Sequence, residues 1–417
     1  MESIPFIDAA RARAVAQQFG TPAFVYDRAT LERAAREVRA FPNAFGLTAR
    51  FAMKALPSAA VLRIFHAVGL KFDASSGFEV ERAMRAGIPA KDIQITAQEL
   101  PKNLKELVQQ GVQFTACSIH QLRAYGKLFP GTKVTIRINP GKGSGHSNRT
   151  NVGGPASSFG IWHELLDEVL AAAREHRLTI TGMHTHIGSG GDPEVWKHCA
   201  RLSLGIAARL PEVTTLSLGG GFKVARVAGE KNANLNEIGA ALLPDFHAFA
   251  EKHGRKLHIE LEPGTYLVAN AGALIASVID VVTTGPEGYD FIKLDTGMSD
   301  ILRPSMYGAQ HPMMMVPADG KAREPQAYVV VGHCCESGDI LTPAPGEPET
   351  LAPRPLIRAE IGDLFVIGGA GAYCASMPAK NYNSFPESPE VLIENDGTLR
   401  QIRRRQILDA VIANETP

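Results

Sequence analysis

The stretch KFDASSGFEVERAMRAGIPAKDIQITA, residues 71–97, contains the repeating unit on which the fold depends. It begins with the β-rich run KFDAS, continues through GFEVERAMRAG, in which apolar residues recur every three or four positions, and ends with a second β-rich run, DIQITA. Spacing of three and four is typical of an amphipathic helix, and short runs rich in β-branched or aromatic residues are typical of strands. The stretch therefore predicts a strand, a helix and a second strand.

The same alternation extends on both sides of this unit. The β-rich runs are RFAMKAL (50–56), KFDAS (71–75), DIQITA (92–97), QFTACS (113–118), KVTIRIN (133–139), ITGMHTHI (180–187), TTLSLGGG (214–221) and KLHIELEPG (256–264). Eight strands with intervening helices over about 215 residues favour a closed parallel (β/α)8 barrel over an open doubly wound sheet.

The pattern changes after residue 270. Strand-like runs such as ALIASVIDVVTT and QAYVVVGH are separated there by Gly, Pro and Asp turns, with little helical periodicity. The early run TPAFVYD (21–27) is a further strand that precedes the barrel, and it has the C-terminal sheet as a possible partner. We therefore predict an α/β protein, with a (β/α)8 barrel over residues 28–272 and a mostly antiparallel β domain formed by residues 1–27 and 273–417.

The composition limits the classes of protein to which the chain belongs. Its 43 Lys and Arg balance 43 Asp and Glu, so no net field attracts nucleic acid or an acidic membrane. No apolar run approaches the length of a membrane span, and the N-terminal residues lack the pattern of a secretory signal. The five cysteines, an odd number without CxxC spacing, favour reduced thiols. We expect a soluble, cytoplasmic protein without nucleic-acid or membrane partners.

Polar features stand at the ends of four predicted barrel strands. Lys54 ends the first strand, His186 the sixth, the triple glycine 219–221 the seventh and Glu262 the eighth. The carboxyl ends of barrel strands meet at one mouth, where proteins of this fold carry their functional groups. We therefore predict that these four features contribute to one site.

Each feature also has an ordinary structural explanation. Most lysines are surface charges, a triple glycine serves as a turn before a helix, and a Glu before a Pro stabilises a helix N-terminus. His184 and His186, two apart on one strand, face the same side, which fits a metal-ligand pair or a buried core histidine beside a functional one. No further residues complete a convincing ligand set, so we predict no metal site.

Together, the four features match the needs of one cofactor. A lysine in a partly dry pocket forms a Schiff base, and a glycine loop after strand seven binds phosphate. A flat imidazole stacks on an aromatic ring, and a carboxylate keeps a heteroaromatic nitrogen protonated. Pyridoxal phosphate requires all four groups. The combination therefore predicts a pyridoxal 5'-phosphate enzyme, although no single feature does.

The predicted β domain adds three polar segments, DTGMSDILRPSMYGAQH (295–311), HCCESGDIL (333–341) and GAGAYCASMPAKNYNS (369–384). The guanidinium of Arg303 suits a carboxylate, and Tyr307 adds a hydrogen bond. Cys335 offers a thiol proton donor, and Glu336 a partner for an ammonium group. Taken singly, these residues fit ordinary loop positions with surface salt bridges.

These motifs resemble a known family. FAMKAL, HTHIGSG, LGGG, EPG, LRPSMYGA, CESGD, GAYCASM and NYNS are similar to the motifs of diaminopimelate decarboxylase, a fold-type III pyridoxal-phosphate decarboxylase related to alanine racemase and ornithine decarboxylase. They occur in the order of the family and span residues 50 to 384. The resemblance implies decarboxylation of meso-2,6-diaminopimelate to L-lysine and carbon dioxide, the last step of lysine biosynthesis.

The resemblance also implies a role for each matched residue. Lys54 would hold the cofactor and act in catalysis, His186 would stack on the cofactor ring and Glu262 would pair with the pyridine nitrogen. The implied phosphate ligands are Ser189, Gly219, Gly220, Gly221 and Tyr373, with Asp73 near the cofactor. Arg303, Tyr307 and Glu336 would bind the far amino-acid end of the substrate. Cys335, the second catalytic residue, would come from the other subunit of a head-to-tail homodimer with shared active sites.

Two departures from the family pattern affect the expected substrate. The family usually has Glu-Pro-Gly-Arg, whose arginine helps to bind the distal carboxylate, and this chain has Thr265 at that position. The loop over residues 139–160 has Ser157-Ser158-Phe159-Gly160 where the family commonly carries lysines. We expect Arg149 or Lys142 from this loop to replace the missing charge.

Two other functions fit parts of the sequence. Thr265 and the altered loop fit a pyridoxal-phosphate decarboxylase for another basic or diamino acid, such as ornithine, lysine or carboxynorspermidine. From a different class, a metal-dependent barrel hydrolase would use His184 and His186. The combination of Arg303 and Glu336 favours a substrate whose far end is itself zwitterionic, and so favours diaminopimelate.

Overall fold

The computed structural model describes residues 4–142, 153–186 and 190–416. The strands are, in chain order, β1 (Ala23–Asp27), β2 (Leu47–Ala52), β3 (Lys71–Ala74), β4 (Ile93–Ile95), β5 (Gln113–Ala116), β6 (Lys133–Asn139), β7 (Ile161–Trp162), β8 (Thr179–His184), β9 (Thr215–Ser217), β10 (His258–Leu261), β11 (Gly272–Thr283), β12 (Asp290–Leu294), β13 (Met313–Val316), β14 (Pro325–Val331), β15 (Pro343–Ala344), β16 (Glu347–Leu351), β17 (Arg354–Ile357), β18 (Leu364–Ile367), β19 (Glu390–Ile393) and β20 (Leu399–Arg403).

The helices alternate with the strands in the middle of the chain and are sparse near its C-terminus. They are α1 (Ala9–Phe19), α2 (Arg28–Arg39), α3 (Ala59–Val68), α4 (Gly77–Arg85), α5 (Leu104–Gln109), α6 (Ile119–Leu128), α7 (Leu166–Glu175), α8 (Pro193–Ala208), α9 (Leu235–His253), α10 (Thr265–Val268), α11 (Arg303–Tyr307) and α12 (Leu408–Val411).

The chain divides into two compact units. The barrel unit contains Glu32–Val224 and Lys231–Leu267, and the β unit contains Met1–Leu31, Ala225–Glu230 and Val268–Pro417. Within the described part of the chain, no helix is both long and apolar enough to cross a membrane.

The barrel unit contains a closed ring of parallel strands. In the described residues, β2, β3, β4, β5, β6, β8, β9 and β10 follow one another around the ring, and β10 pairs with β2 to close it. Consecutive strands are joined by helices α3 to α9. The predicted (β/α)8 barrel is therefore confirmed. The observed strands are mostly shorter than the predicted runs, because several run ends lie in the loops at the mouth.

Local sequence sets the helix boundaries around the barrel. Helix α4 begins after Ser76, whose Oγ accepts a hydrogen bond from the backbone N–H of Glu79 at 3.1 Å. The Glu79 carboxylate in turn accepts from the backbone N–H of Ser75 at 2.7 Å. This reciprocal pairing satisfies two amide groups at the start of the helix. Helix α3 ends at Gly69, which adopts φ 90°, a conformation that glycine tolerates best.

The β unit is built on a mostly antiparallel sheet with the order β17-β14-β12-β11-β1-β19-β20, to which β18 and β13 are added beside β11. The early strand β1 pairs antiparallel with β11 and parallel with β19, so the N-terminal run does belong to the C-terminal sheet. The core of the β unit includes Val25, Ile275 and Val366, each of which is 0% exposed. The predicted second, mostly antiparallel β fold is confirmed.

Candidate active site

The four polar strand ends of the barrel lie on consecutive strands. Strands β8, β9, β10 and β2 are neighbours in that order. They are followed along the chain by His186, the triple glycine 219–221, Glu262 and Lys54, respectively. The sequence predicted only that these groups share one mouth of the barrel. The strand order adds that they occupy adjacent positions around it.

Glu262, directly after β10, is a buried carboxylate with hydrogen bonds to both oxygen atoms. Its Oε1 accepts from Oγ of Ser217 at 2.8 Å and from Nε2 of Gln94 at 3.2 Å, and its Oε2 lies 2.7 Å from Nε2 of His184. Burial raises the pKa of Glu262, but the charge and hydrogen bond of His184 and the hydrogen bond of Ser217 outweigh burial and lower it to about 2. Glu262 is therefore ionised at neutral pH.

The two histidines of the HTH motif have different environments. His184, on β8, is buried and bonded to Glu262, so it is the satisfied core histidine of the two. His186 is half-buried, and its ring centroid lies 6.4 Å from that of His184. Burial lowers the pKa of His186 well below its usual value, and the charges of Arg137 and Lys54 add to this effect. His186 is therefore a neutral imidazole, a flat ring suited to stacking on another aromatic ring.

Two residues of the triple glycine 219–221, Gly219 and Gly220, have no room for side chains. Gly219 has φ 70°, and a Cβ there would lie 2.8 Å from Cγ of His186. A Cβ on Gly220 would overlap the carbonyl oxygen of Glu262, and Gly221 has φ 100°. Only glycine lets this backbone pass between His186 and the start of the Glu262 loop. The segment is thus backbone without side chains, and such backbone is what close approach of a phosphate requires.

Lys54 lies in a short 3-10 helix, Met53–Ala55, immediately after β2. Its side chain is exposed, whereas Met53 and Ala55 are buried. The charge of Lys54 acts on Asp73 and on His186, so these three residues are near one another. The sequence placed Lys54 at the end of the strand itself, and the structure places it in the turn that follows.

The pKa of Asp73, on β3, is shifted in the opposite direction to that of Glu262. Burial and the charge of Glu262 raise the pKa of Asp73 well above its usual value, although a hydrogen bond with Thr96 and the charge of Lys54 act against this. Its Oδ1 has no hydrogen-bond partner among the described residues. Two carboxyl groups in one barrel are thus driven apart in pKa by their surroundings, a pattern common at functional sites.

Sequence reasoning did not identify Gln94, Ser217 or Arg137. The first two hold Oε1 of Glu262, and Arg137 acts on His186 and lies with its guanidinium 5.0 Å from the Phe159 ring centroid. All three are polar residues inside runs that were predicted to be barrel strands. Because the interior of such a barrel is packed with side chains, a polar residue there needs a partner, and this signal was available in the sequence.

Part of the expected substrate and phosphate site is not described. Arg149 and Ser189 lie outside the described residues. Lys142, the other candidate for the missing charge, is exposed, and its charge acts on Cys199. Asn139 organises the flanks of the 139–160 loop, since its amide group exchanges hydrogen bonds of 3.0 and 2.8 Å with the backbone of Gly154.

In the β unit, Arg303 and Tyr307 lie on the one-turn helix α11. The guanidinium carbon of Arg303 lies 5.9 Å from the ring centroid of Tyr307. Gly308 ends the helix with φ 62°. The motif LRPSMYGA therefore presents the predicted arginine and tyrosine side by side. Tyr373, the predicted phosphate ligand, belongs to the same unit and has φ 57°, which is rare for a residue with a side chain.

The CES and NYNS motifs contact each other in the β unit. The backbone N–H of Cys335 donates to Oδ1 of Asn383 at 2.8 Å, and the Tyr382 hydroxyl donates to Oε2 of Glu336 at 3.5 Å. Asn381, Asn383 and Ser384 all have positive φ values, of 56°, 51° and 61°. Cys335 is exposed, whereas Cys334 is buried, and burial raises the Cys334 pKa to about 12. The Cys335 thiol is therefore the accessible one of the pair.

The described residues offer no alternative site for a metal ion. Among residues 4–142, 153–186 and 190–416, no group of three or more His, Cys, Asp and Glu side chains is arranged to hold a metal. His184, which a metal site would require, is instead bonded to Glu262 through Nε2.

Comparison with known proteins assigns the chain to a family. The family described as "Pyridoxal-dependent decarboxylase, pyridoxal binding domain" matches residues 30–269. The diaminopimelate decarboxylase of Streptomyces coelicolor is 37% identical over 418 aligned residues, which cover 98% of this chain and 92% of that protein. The diaminopimelate decarboxylase of Escherichia coli K12 is 35% identical over 407 aligned residues, which cover 95% of this chain and 94% of that protein.

Solved structures agree with this assignment. A crystal structure of a diaminopimelate decarboxylase superposes with a TM-score of 0.91 at 34% identity, covering 98% of this chain and 96% of that chain. The Helicobacter pylori diaminopimelate decarboxylase, solved in complex with L-lysine, superposes with a TM-score of 0.84 at 25% identity and covers 96% of this chain and 98% of that chain. The chain belongs to the diaminopimelate decarboxylase family of pyridoxal-phosphate-dependent decarboxylases.

Proposed function

We propose that this protein removes carbon dioxide from the D-centre of meso-2,6-diaminopimelate and releases L-lysine, the last step of lysine biosynthesis. In this reaction, the bond between Cα and its carboxylate breaks, carbon dioxide leaves, and one proton is added at Cα. The observation that carries the proposal is the ionised Glu262, held on both oxygens at the end of β10. A buried carboxylate kept charged in this way is suited to hold a heteroaromatic nitrogen in its protonated form.

The residues present fit pyridoxal phosphate. The triple glycine 219–221 is backbone on which a Cβ at Gly219 or Gly220 would clash with His186 or Glu262, His186 is neutral, and Glu262 is ionised. The residues that would hold the cofactor are Lys54, Asp73, His186, Ser189, Gly219, Gly220, Gly221, Glu262 and Tyr373. When bound, pyridoxal phosphate supplies an electron-withdrawing ring that accepts the electron pair of the breaking bond.

The barrel residues would hold the cofactor and keep its ring nitrogen protonated. The amine of Lys54 would hold the cofactor covalently until the amine of the substrate takes its place. Glu262 would keep the pyridine nitrogen protonated, and His184, Ser217 and Gln94 keep Glu262 ionised and oriented. His186 would cover one face of the ring as a neutral imidazole, without adding a positive charge that competes with the ring nitrogen.

The β-unit residues would select the substrate and return the proton. Arg303 and Tyr307 would bind the carboxylate of the far amino-acid end, and Glu336 its ammonium group. A ligand that lacks these groups would leave charged residues unpaired in the site, and this loss penalises its binding. Sγ of Cys335 would donate the proton to Cα. Arg149 stays a prediction for a further substrate ligand.

We further propose a cytoplasmic homodimer in which Cys335 completes the active site of the other subunit. All five cysteines are free thiols in the structure, which agrees with a reducing compartment. The exposed Cys335 and Glu336 are hydrogen-bonded to the NYNS segment, and exposed residues held in this way suit contact with a partner.

Thr265 supports a second candidate. A decarboxylase for ornithine, lysine or carboxynorspermidine would not need the arginine that the family usually has at this position. Arg303 and Glu336 together favour diaminopimelate, because a substrate with one charged group at its far end satisfies only one of them.

Two measurements test the proposal. Release of carbon dioxide is measured from diaminopimelate, ornithine, lysine and arginine with added pyridoxal phosphate, and diaminopimelate is expected to have the highest kcat/KM. Preference for any of the other three would contradict the substrate assignment. An absorption band at about 420 nm is expected in the wild-type protein and is expected to be lost in Lys54→Ala. Lys71→Ala is the matched control. Lys71 belongs to the same unit as Lys54, its Nζ lies 3.9 Å from Oδ1 of Asp92, and it has no predicted role.

A further inference from the structure

Among the described residues of the β unit, Arg226, Arg303 and Arg403 each have a buried guanidinium nitrogen without a hydrogen-bond partner. Arg403 is ion-paired with Glu387 and Glu390, and the other two have no such ion pair there. Arg226 belongs to this unit because Ala225–Glu230 groups with Val268–Pro417 rather than with the barrel. Its Nε donates to the carbonyl oxygen of Gly369 at 3.1 Å, but its buried Nη2 has no hydrogen-bond partner among the described residues. The buried Nε of Arg303 is likewise without a partner there. Buried donors of this kind are rare unless a ligand satisfies them.

The two guanidinium groups are both close enough to His311 for their charges to act on it. His311 is 0% exposed, and the charges of Arg226 and Arg303 both act on it. Nδ1 of His311 lies 2.9 Å from the carbonyl oxygen of Gly368, a contact that requires Nδ1 to donate. Burial, followed by these two charges, lowers the pKa of His311 well below its usual value, so the imidazole is neutral. The neutral His311 imidazole adds no charge beside the two arginines, and its Nε2 can accept a hydrogen bond.

Among the described residues, no carboxylate lies at hydrogen-bond distance from the guanidinium of Arg226 or Arg303, although the charge of Glu230 acts on Arg226. Arg323 in the same unit donates to Asp363 at 2.6 Å and to Asp319 at 2.9 Å, and these partners raise its pKa. The pKa of Arg226 is shifted in the opposite direction. Burial, with the charge of Arg303 as the next contribution, lowers the pKa of Arg226 to about 9. Two like charges in a partly dry region are costly, and an anion bound between them offsets that cost.

We propose that Arg226, together with Arg303, binds the carboxylate of the substrate that is not lost, and so supplies the guanidinium that is missing at Thr265. The inference rests on the proposed function, in which the substrate has one carboxylate that leaves and one that stays. Two forked guanidinium groups on one carboxylate provide up to four parallel charge-assisted hydrogen bonds. Arg226 therefore acts as a specificity-determining residue for substrates with a carboxylate at the far end.

The same cluster is also chemically suited to a phosphate, so the source of the anion must be distinguished. The charge of Arg303 has a larger effect on Arg226 than that of Tyr373, the predicted phosphate ligand. Arg303 lies beside Tyr307 on α11 and belongs to the predicted substrate set. The arrangement thus favours the substrate carboxylate over the cofactor phosphate.

L-lysine and cadaverine provide the probe, because they differ only in the carboxylate that the reaction leaves on the product. Their dissociation constants for the cofactor-loaded protein are measured by titration calorimetry, which requires no turnover. Arg226→Gln is expected to weaken L-lysine about 10- to 100-fold and to leave cadaverine unchanged. Arg226→Lys keeps the charge but loses the bidentate guanidinium geometry, so its affinity for L-lysine is expected to lie between those of the wild type and Arg226→Gln.

The control is Arg255→Gln in the barrel unit. Arg255 is also a partly buried arginine whose guanidinium has no carboxylate partner at hydrogen-bond distance in the described part of the chain, but it donates to the carbonyl oxygens of Ala207, Leu210 and Val213. Its replacement is expected to lower stability and to leave the ratio of the two dissociation constants unchanged. Arg149→Gln, measured in parallel, separates the two assignments for the missing charge.

Several results would overturn the inference. An unchanged ratio in Arg226→Gln would do so, as would a changed ratio in Arg149→Gln alone. A weaker affinity for pyridoxal phosphate with an unchanged ratio would assign Arg226 to the phosphate instead. If Arg226→Gln does not fold, the ratio in Arg226→Lys decides. Failure of the proposed function is seen separately, as carbon dioxide released from ornithine or lysine in preference to diaminopimelate, whatever the product affinities show.

Discussion

Nε2 of His184 lies 2.7 Å from Oε2 of Glu262, and the two side chains are only 1% and 4% exposed. This contact connects the sixth and eighth strands of the barrel and fixes the protonation state of Glu262. The strand between them adds Ser217, which donates to the other oxygen at 2.8 Å. The proposed partner of the cofactor nitrogen is therefore positioned from neighbouring strands rather than by its own loop.

His184→Ala tests whether this contact controls catalysis. Without the charge and hydrogen bond of His184, burial has less opposition, so the pKa of Glu262 rises. We expect kcat to fall about 10- to 100-fold, with a much smaller change in KM. The acidic limb of the pH–rate profile should also move to higher pH. His184→Gln, which keeps a donor but not the charge, should recover part of the loss; a profile that does not move in either variant would contradict this role.

Asp73→Asn tests the unusual protonation of Asp73. Because its pKa is raised in the folded protein, its contribution to stability is fully present below the unfolded pKa, at about 4, and is lost as pH rises through the folded pKa. The asparagine variant cannot ionise. Its free energy of unfolding relative to wild type should therefore increase as pH rises from about 4 toward 8, as measured by urea denaturation. Parallel curves for the two proteins across this range would show that Asp73 has an ordinary pKa.

Gly220→Ala tests the requirement for bare backbone after β9. The new Cβ would overlap the carbonyl oxygen of Glu262, so backbone must shift. We expect a loss of about 1–3 kcal/mol in the free energy of unfolding and a weaker affinity for pyridoxal phosphate. Gly205→Ala, within helix α8, is the matched control. Apart from its chain neighbours and the backbone of its own helix, no atom of the described residues lies within 4 Å of its Cβ position, so the substitution should stabilise the protein by about 0.5–1 kcal/mol. Equal effects of the two substitutions would argue against a special role for Gly220.

Mixing two inactive variants tests the shared active site. If Cys335 completes the site of the other subunit, a dimer of one Lys54→Ala chain and one Cys335→Ala chain has one intact site. Unfolding and refolding an equal mixture should restore about a quarter of wild-type activity, because about half of the dimers are mixed and each has one of two sites. If Lys54 and Cys335 of one chain serve the same site, the mixture stays inactive. Size-exclusion chromatography checks that the mixed sample is dimeric.

The sequence by itself determined the fold class and most of the barrel site. Helical and β-type spacings alternate from residue 50 to residue 264 because each helix must bury one face against the strands, and this requirement is local to each segment. Lys54, His186, the triple glycine 219–221 and Glu262 were recognisable since each stands at the end of such a segment. The positions of those ends along the chain require no knowledge of which strands are neighbours.

Only the tertiary structure decided what these residues touch. His184, Ser217 and Glu262 are up to 78 residues apart in the chain, and their hydrogen bonds exist only because β8, β9 and β10 lie side by side. Arg226 follows a barrel strand in sequence but belongs to the β unit, where its charge and that of Arg303 act on each other. Protonation states and unpaired donors depend on burial and on partners distant in sequence, and residue spacing along the chain does not encode either.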